Sequence, residues 1–347
     1  VCPVGPTEEE DPLVTLLFYV ALFLLSVAVT LGGCGLFTNA IEWLGKRLGI
    51  SEGAVGSIFA AIGTTLPETS IPVIAIFFGK SQQEAEVGLG AILGAPFMLS
   101  TLVLPILALL LILFARAGKR SAQFHLNYGE VRTDLTFFTI GYAVALGCVF
   151  IPSHAIHVAA AIGLMSLYVY YMKIKFSAED EEGGDGSLEP LLFAKQAQTP
   201  SYTMIGLQAV AGLGGLIAGA HLFVTAAETV ATTFAISPLI LALLIAPLAT
   251  ELPEMSNSFL WLYRKKDRLA IGNVTGAMVF QGTFPVSVGL IGTEWALAPS
   301  AMLTMVLAVV AAGLCLLQIL VGGRWQPLLL GAGAILYVGY TVYLYAF

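Results

Sequence analysis

Gly63-Thr64-Thr65-Leu66-Pro67-Glu68 and Ala249-Thr250-Glu251-Leu252-Pro253-Glu254 decide the fold of this 347-residue chain. The two glutamates that close the segments lie 254 − 68 = 186 positions apart, and the register between the segments extends well past the motif. At the same offset Gly33 meets Gly219, Phe37 meets Phe223, Glu42 meets Glu228 and Ile50-Ser51 meets Ile236-Ser237. Thr64 meets Thr250 and Ser70 meets Ser256, so the alignment runs without a gap from Gly33 to Ser70. Beyond it the second copy is four residues shorter, and Gly90 and Gly94 then meet Gly272 and Gly276. Correspondence over such a length marks two copies of one structural unit.

The units are built for a membrane. The chain is 58% hydrophobic and 11% charged, where a soluble domain sits near 45–50% and about 25%; mean hydropathy is +0.89. Apolar runs long enough to cross a bilayer core of about 30 Å recur along it. Ten spans are expected, at 12–47, 52–79, 84–115, 131–151, 153–175, 200–234, 238–263, 268–292, 299–320 and 325–346. The fold class is therefore an all-α integral membrane protein, ten transmembrane helices arranged as two inverted five-helix repeats. The repeats cover 12–175 and 200–347 and are joined by an acidic linker, 176–199. An odd number of spans per repeat turns the second copy over relative to the first, the arrangement of secondary transporters.

Orientation follows from the cations. With spans alternating, 14 of the 15 Lys and Arg residues fall on one side, and only Lys80 on the other. The positive-inside rule makes the rich side cytoplasmic, which puts the N-terminus outside and the linker inside. The net charge of −7 is concentrated at Glu8–Asp11 and Glu179–Glu189. The second cluster lacks the ligand spacing of a Ca²⁺ loop and reads as a flexible acidic connection. The four cysteines have no metal-ligand spacing, and three lie in apolar runs, which argues against a disulfide framework. The first residue is Val1, as in a trimmed or processed chain, and the apolar run from Leu13 lacks the basic leader of a signal peptide.

Pro67 and Pro253 each remove a backbone donor inside an apolar span, so both are expected to break a helix at matched places. Glu68 and Glu254 follow them, deep in apolar sequence with no Lys or Arg in either span. Carboxylates in that setting must share a cation or hold protons. Hard cations favour carboxylate, hydroxyl and freed carbonyl oxygens. Thr64, Thr65, Ser70, Thr250 and Ser256 flank the glutamates and offer hydroxyls. A protonated glutamate bonded to a backbone carbonyl is the bland alternative, and the matched pair weighs against it.

These paired segments resemble the two alpha-repeats of the sodium/calcium exchanger (cation/calcium antiporter) superfamily. The lead-in Leu48-Gly49-Ile50-Ser51 and the stretch Asp267-Arg268-Leu269-Ala270-Ile271-Gly272-Asn273-Val274-Thr275-Gly276 are similar to that family too. The resemblance implies alternating access, Glu68 and Glu254 as central ligands, and Na⁺ or H⁺ as the driving ion. It also implies polar residues where this chain has Ala91, Ala95 and Leu99 in its third span. The second copy keeps Asn273, has Ala277 for a serine and Gln281 for the last polar residue, and gains Glu251 in place of a small hydroxyl residue. The expected ligand set is Glu68, Glu254, Glu251, Thr64, Thr65, Thr250, Ser70, Ser256, Asn273 and Gln281, weighted toward the second repeat. The extra acid opens proton coupling through Glu251, or a different divalent ion, beside the family pattern.

The expected activity is exchange of a divalent cation, Ca²⁺ first, against Na⁺ or H⁺. A monovalent Na⁺ or K⁺/H⁺ antiporter and a non-transporting ion sensor on the same fold are the alternatives. No nucleophile–base pair or hydrolase motif is found, so an enzyme is not expected, nor are a cofactor or a nucleic-acid partner; the partners are metal cations and the lipid bilayer. Minor features read as structural. Glu42 and Glu228 are expected as interfacial groups or partners of nearby bases, and His221, His154 and His157 as packing or interfacial residues. Gly212, Gly214, Gly215 and Gly219 fit close helix packing. Tyr168, Tyr170, Tyr171, Tyr340, Tyr343 and Tyr345 fit an aromatic belt.

Overall fold

The computed structural model describes residues 12–50, 54–62, 65, 69, 72–73, 76–77, 82–177, 188–233 and 251–346. Helices α1 (Pro12–Leu48), α2 (Gln82–Met98), α3 (Leu104–Arg116), α4 (Tyr128–Cys148), α5 (His154–Ser177) and α6 (Tyr202–Thr233) lead into α7 (Leu252–Tyr263) and α8 (Asp267–Gln281). Then come α9 (Phe284–Gly292), α10 (Pro299–Gly322), the short α11 (Pro327–Leu330) and α12 (Ala332–Ala346). No strand occurs among the described residues.

Among the described residues, seven helical stretches are long and apolar enough to cross a membrane: 24–48, 88–116, 154–177, 202–219, 267–292, 299–322 and 327–344. Each falls on an expected span. Span four is present as α4, whose first turns carry Glu130, Arg132 and Asp134 and lower its hydropathy. Spans two and seven run through residues outside the described set; α7 is the end of span seven.

Proline shapes the spans. Pro96 lies inside α2, and the wider π turn Leu99–Val103 follows it, joining α2 to α3 as one continuous helical rod in a place where a bend would be expected. A missing donor and a π bulge are recognised causes of such a bend. Span eight, expected as continuous, is instead two helices: α8 ends at Gln281 and α9 restarts at Phe284-Pro285. Thr283, at φ −121° and ψ −67°, is the non-helical joint.

The matched first spans of the repeats, α1 and α6, lie along each other. A Cβ at Gly33 would strike the backbone of Gly212, Gly215 and Leu216, and one at Gly212 the backbone of Phe37. Gly215 and Gly219 are equally close to α1, whereas Gly214 faces open space. Three of the four expected packing glycines therefore make the contact.

Helix α8 is the axis of the core, with every residue except Arg268 buried. It packs against α7, α4 and the π turn Val55–Ala60. A Cβ at Gly276 would fall on the backbone of Ser57, so this crossing joins the first repeat to the second without intervening side chains. Outer residues such as Val310, Leu317, Leu320 and Val321 on α10 are exposed and apolar, as lipid requires.

The ion pairs among the described residues use cations expected on the cytoplasmic side. Arg120 pairs with Asp267 (Nη1 to Oδ1 2.8 Å), Arg268 with Glu130 at 2.8 Å, Lys175 with Asp134 at 2.8 Å, Arg264 with Glu189 at 3.2 Å, and Lys266 with Glu42. Glu42 also accepts from Trp261 Nε1 at 2.7 Å. It is thus a partner of a nearby base.

Several expectations need correction. The linker was read as a flexible connection, but its described end is bound to α1 and α6. Trp43 Nε1 donates to the Glu189 carbonyl at 2.9 Å, and Leu192 N–H to Asn39 Oδ1 at 3.2 Å. Phe193 N–H donates to Gln208 Oε1 at 2.8 Å. His157 is not interfacial: it is buried, with Nε2 2.8 Å from the Ile151 carbonyl. Tyr168, Tyr171 and Tyr340 are core residues rather than belt residues, while Tyr170 and Tyr343 stay exposed. Lys175 is 3% exposed rather than a loop cation. The side chains of His221, Glu228 and Tyr345 lie outside the described set.

Candidate cation site

The second Leu-Pro-Glu segment stands at the start of a helix. Leu252 is the first residue of α7, and Pro253 occupies the first turn, where a helix has no use for its missing N–H. Glu251 immediately precedes the helix, and its carbonyl accepts from Met255 N–H at 3.0 Å. Glu254 lies in the first turn, where the positive end of the helix favours a carboxylate. Both glutamates are completely buried.

Helix α8 brings two amides to this segment. Asn273 Nδ2 donates to the Glu254 carbonyl at 3.2 Å and to Ser258 Oγ at 3.0 Å. Gln281 Nε2 donates to Glu251 Oε1 at 2.9 Å. The amides sit eight positions apart, about 12 Å along the axis. One fixes the early turns of α7, and the other reaches the acid that precedes them. Asn273 thus reaches the backbone of Glu254, and Gln281 reaches the side chain of Glu251.

The remaining expected ligands are distributed as follows. Thr65, the repeat mate of Glu251, is buried and donates its hydroxyl to the Ala61 carbonyl at 2.9 Å. Its proton is committed to its own helix, and its oxygen keeps lone pairs. Ser256 is partly buried on α7. Glu68, Thr64, Ser70 and Thr250 lie outside the described residues. Ala95 and Leu99, where the family pattern called for polar groups, are buried on the α2 rod. Among the described residues no three of His, Cys, Asp and Glu cluster closely enough to hold a metal ion. Any ligand set drawn from them therefore combines acids with neutral oxygens.

Two features escaped the sequence reading. Asn257 is fully buried one turn beyond Glu254, and among the described residues neither of its amide atoms has a hydrogen-bond partner. An amide three positions past a glutamate in an apolar span was the available signal. The second is a buried network around Asp134. Besides Lys175, it accepts from Thr275 Oγ1 at 2.7 Å, Tyr171 OH at 3.0 Å and Ser57 Oγ at 3.3 Å. This carboxylate is saturated by a cation and three donors, so it braces α4, α5, α8 and the π turn. The opposite charges in spans four and five were visible in sequence; their burial together was not.

Comparison with known proteins matches this arrangement. The family model described as sodium/calcium exchanger protein matches residues 18–176 and 205–347. CaxA of Alkalimonas amylolytica, which bears the name of an antiporter, is 26% identical over 258 residues, 74% of this chain and 75% of its own. The inner membrane protein YrbG of Escherichia coli is 22% identical over 336 residues, 95% of this chain and 98% of its own. Among solved structures, the sodium-calcium exchanger NCX_Mj soaked with 2.5 mM Na⁺ and 10 mM Sr²⁺ superposes with a TM-score of 0.71. That match has 21% identity and covers 93% of this chain and 99% of the other, so it shows a shared fold. With its two matched segments, its buried acids and its all-helical plan, the chain belongs to the sodium/calcium exchanger protein family, whose members are multi-pass membrane transporters of cations and not enzymes.

Proposed function

We propose that the chain exchanges a divalent cation, Ca²⁺ first, against Na⁺ or H⁺ by alternating access between the two repeats, 12–175 and 200–347. The linker, 176–199, is assigned to the cytoplasm and the N-terminus to the outside. The observation that carries the proposal is the pair of fully buried acids beside α8: the Glu251 carboxylate accepts from Gln281, and the backbone carbonyl of Glu254 accepts from Asn273. Carboxylates at that depth call for a cation or a proton. Mixed carboxylate, amide and hydroxyl oxygens suit hard cations. Glu68, Thr64, Thr65, Ser70, Thr250 and Ser256 complete the proposed ligand set beside Glu254, Glu251, Asn273 and Gln281.

A second reading has its own support. Ala95 and Leu99 are buried and apolar where the third span of the family supplies ligands, and Gln281 donates to Glu251. Fewer neutral oxygens and a hydrogen-bonded extra acid favour a monovalent cation exchanged for H⁺. Purified protein in vesicles loaded with a Ca²⁺-sensitive dye separates the readings. Dye response driven by an imposed Na⁺ or H⁺ gradient supports divalent exchange. Proton movement driven by Na⁺ or K⁺ without Ca²⁺ competition supports the monovalent reading. No flux of either kind, with active controls, refutes both.

A further inference from the structure

Asn257 is the described buried side chain for which the fold provides least. It is completely buried on α7, and neither its Nδ2 nor its Oδ1 has a hydrogen-bond partner. Desolvating both ends of an amide without replacement is costly, and a native core retains such a group for a reason. The neighbouring amide is half committed. Asn273 gives its Nδ2 to the Glu254 carbonyl and Ser258 Oγ, while its Oδ1 is likewise without a hydrogen-bond partner. Asn257 and Glu254 are three positions apart on one helix, hence on one side of it. Asn273 is tied to that same turn. One carboxylate and two amides are therefore carried by, or bonded to, a single turn of α7 inside the core.

We infer that Asn257 is a ligand of the transported cation, its Oδ1 acting with Asn273 Oδ1 and the Glu254 carboxylate. A hard cation accepts amide oxygens readily, and binding one gives Oδ1 the partner that the protein does not. The inference also accounts for the asymmetry of the halves. At the repeat offset Asn257 corresponds to Ile71, and the third span carries Ala91, Ala95 and Leu99. Neutral oxygen missing from the first copy is restored one turn past Glu254 in the second.

The inference rests on the cation-site reading, and the test keeps the two apart. Full-length wild type, Asn257→Leu and Asn257→Asp are titrated with Ca²⁺, Mn²⁺ and Na⁺, following binding by calorimetry and the melting temperature with and without ion. Leu keeps the volume and removes the amide; Asp keeps the oxygen. For Asn257→Leu the expected result is at least ~10-fold weaker binding, the size of loss seen when metal-site groups are removed. Its ion-free melting temperature should be unchanged or higher, because the buried polar group is gone. Asn257→Asp, which keeps the oxygen, should bind divalent ions at least as tightly as wild type, and a loss as large as that of Asn257→Leu would overturn the inference. Unchanged affinity in Asn257→Leu, alongside a wild type that binds, overturns this inference alone. A lower ion-free melting temperature with unchanged affinity also overturns it, assigning the amide to packing. A wild type that binds none of the three ions overturns the cation-site reading itself.

Discussion

Removing Lys175 tests whether the Asp134 network braces the core or merely accompanies it. Asp134 is 1% exposed and Lys175 3% exposed, with 2.8 Å between Nζ and Oδ1. Lys175→Met keeps the length of the side chain and deletes its charge. The carboxylate then retains Thr275, Tyr171 and Ser57 as donors but has no counter-charge. Breaking one partner of a buried pair costs about 3–5 kcal/mol. The three surviving hydrogen bonds offset part of this, so about 3 kcal/mol is expected. Asp134→Asn leaves Lys175 buried and weakens up to three hydrogen bonds, giving about 4 kcal/mol. The double variant Asp134→Asn/Lys175→Met removes both charges, and an amide oxygen in the place of Oδ2 still accepts from Thr275 and Ser57 while its Nδ2 donates to the Tyr171 hydroxyl. It should lie within about 1–2 kcal/mol of wild type, because replacing a whole buried pair is often neutral. The assay is reversible unfolding of full-length protein in mixed micelles, followed by tryptophan fluorescence and analysed as a double-mutant cycle. If either single variant loses less than about 1 kcal/mol, or the double loss equals the sum of the singles, the pair is not the brace described.

Glu254→Gln should abolish divalent transport in vesicles with little loss of fold, and Glu251→Gln should change its dependence on pH more than on the divalent ion; both predictions fail if each variant transports as wild type does. Gly276→Ala should destabilise the protein by about 1–3 kcal/mol, because the new methyl meets the backbone of Ser57 and no rotamer relieves it. Gly214→Ala, with nothing within 4 Å, should instead stabilise α6 by up to about 1 kcal/mol, and comparing the two melting temperatures checks both. Arg120→Ala should lower stability by about 3 kcal/mol, since Asp267 is buried and would keep only the His125 N–H at 2.8 Å; a melting temperature like that of wild type would contradict it.

The sequence made the membrane plan legible because hydropathy and the cation bias act along the chain, and local signals suffice for both. Three places resisted. The break in span eight at Thr283 lay hidden because Gln281-Gly282-Thr283 is neither long nor polar enough to interrupt an apolar run. Lys175 read as a loop cation because its position at the end of α5 says nothing of Asp134, 41 positions earlier on another helix. Tyr171 and Tyr168 read as belt residues because composition cannot distinguish the lipid face of a helix from the face packed on α4 and α8. The glutamates of the second segment were legible because charge in an apolar span is conspicuous. Asn257 was not, since an uncharged amide raises no question of a counter-charge and its repeat mate Ile71 carries no polar echo.

The two amides of α8 also differ in what they can give the site. Gln281 turns its N–H toward a carboxylate oxygen of Glu251, so through that contact it moderates the acid. Asn273 commits its N–H groups to a backbone carbonyl and a hydroxyl, so oxygen is what it has left to present. Glu254 is thereby grouped with neutral oxygen and Glu251 with a hydrogen-bond donor. A hard cation prefers the first environment, and a carboxylate that gains and loses a proton is better served by the second. The extra acid of the second repeat is then not a duplicate of Glu254. Thr65, its counterpart in the first repeat, cannot exchange a proton at neutral pH and donates its hydroxyl to its own helix. The chemical difference between the halves thus concentrates at positions 65 and 251, where one copy has a helix-bonded hydroxyl and the other a buried acid.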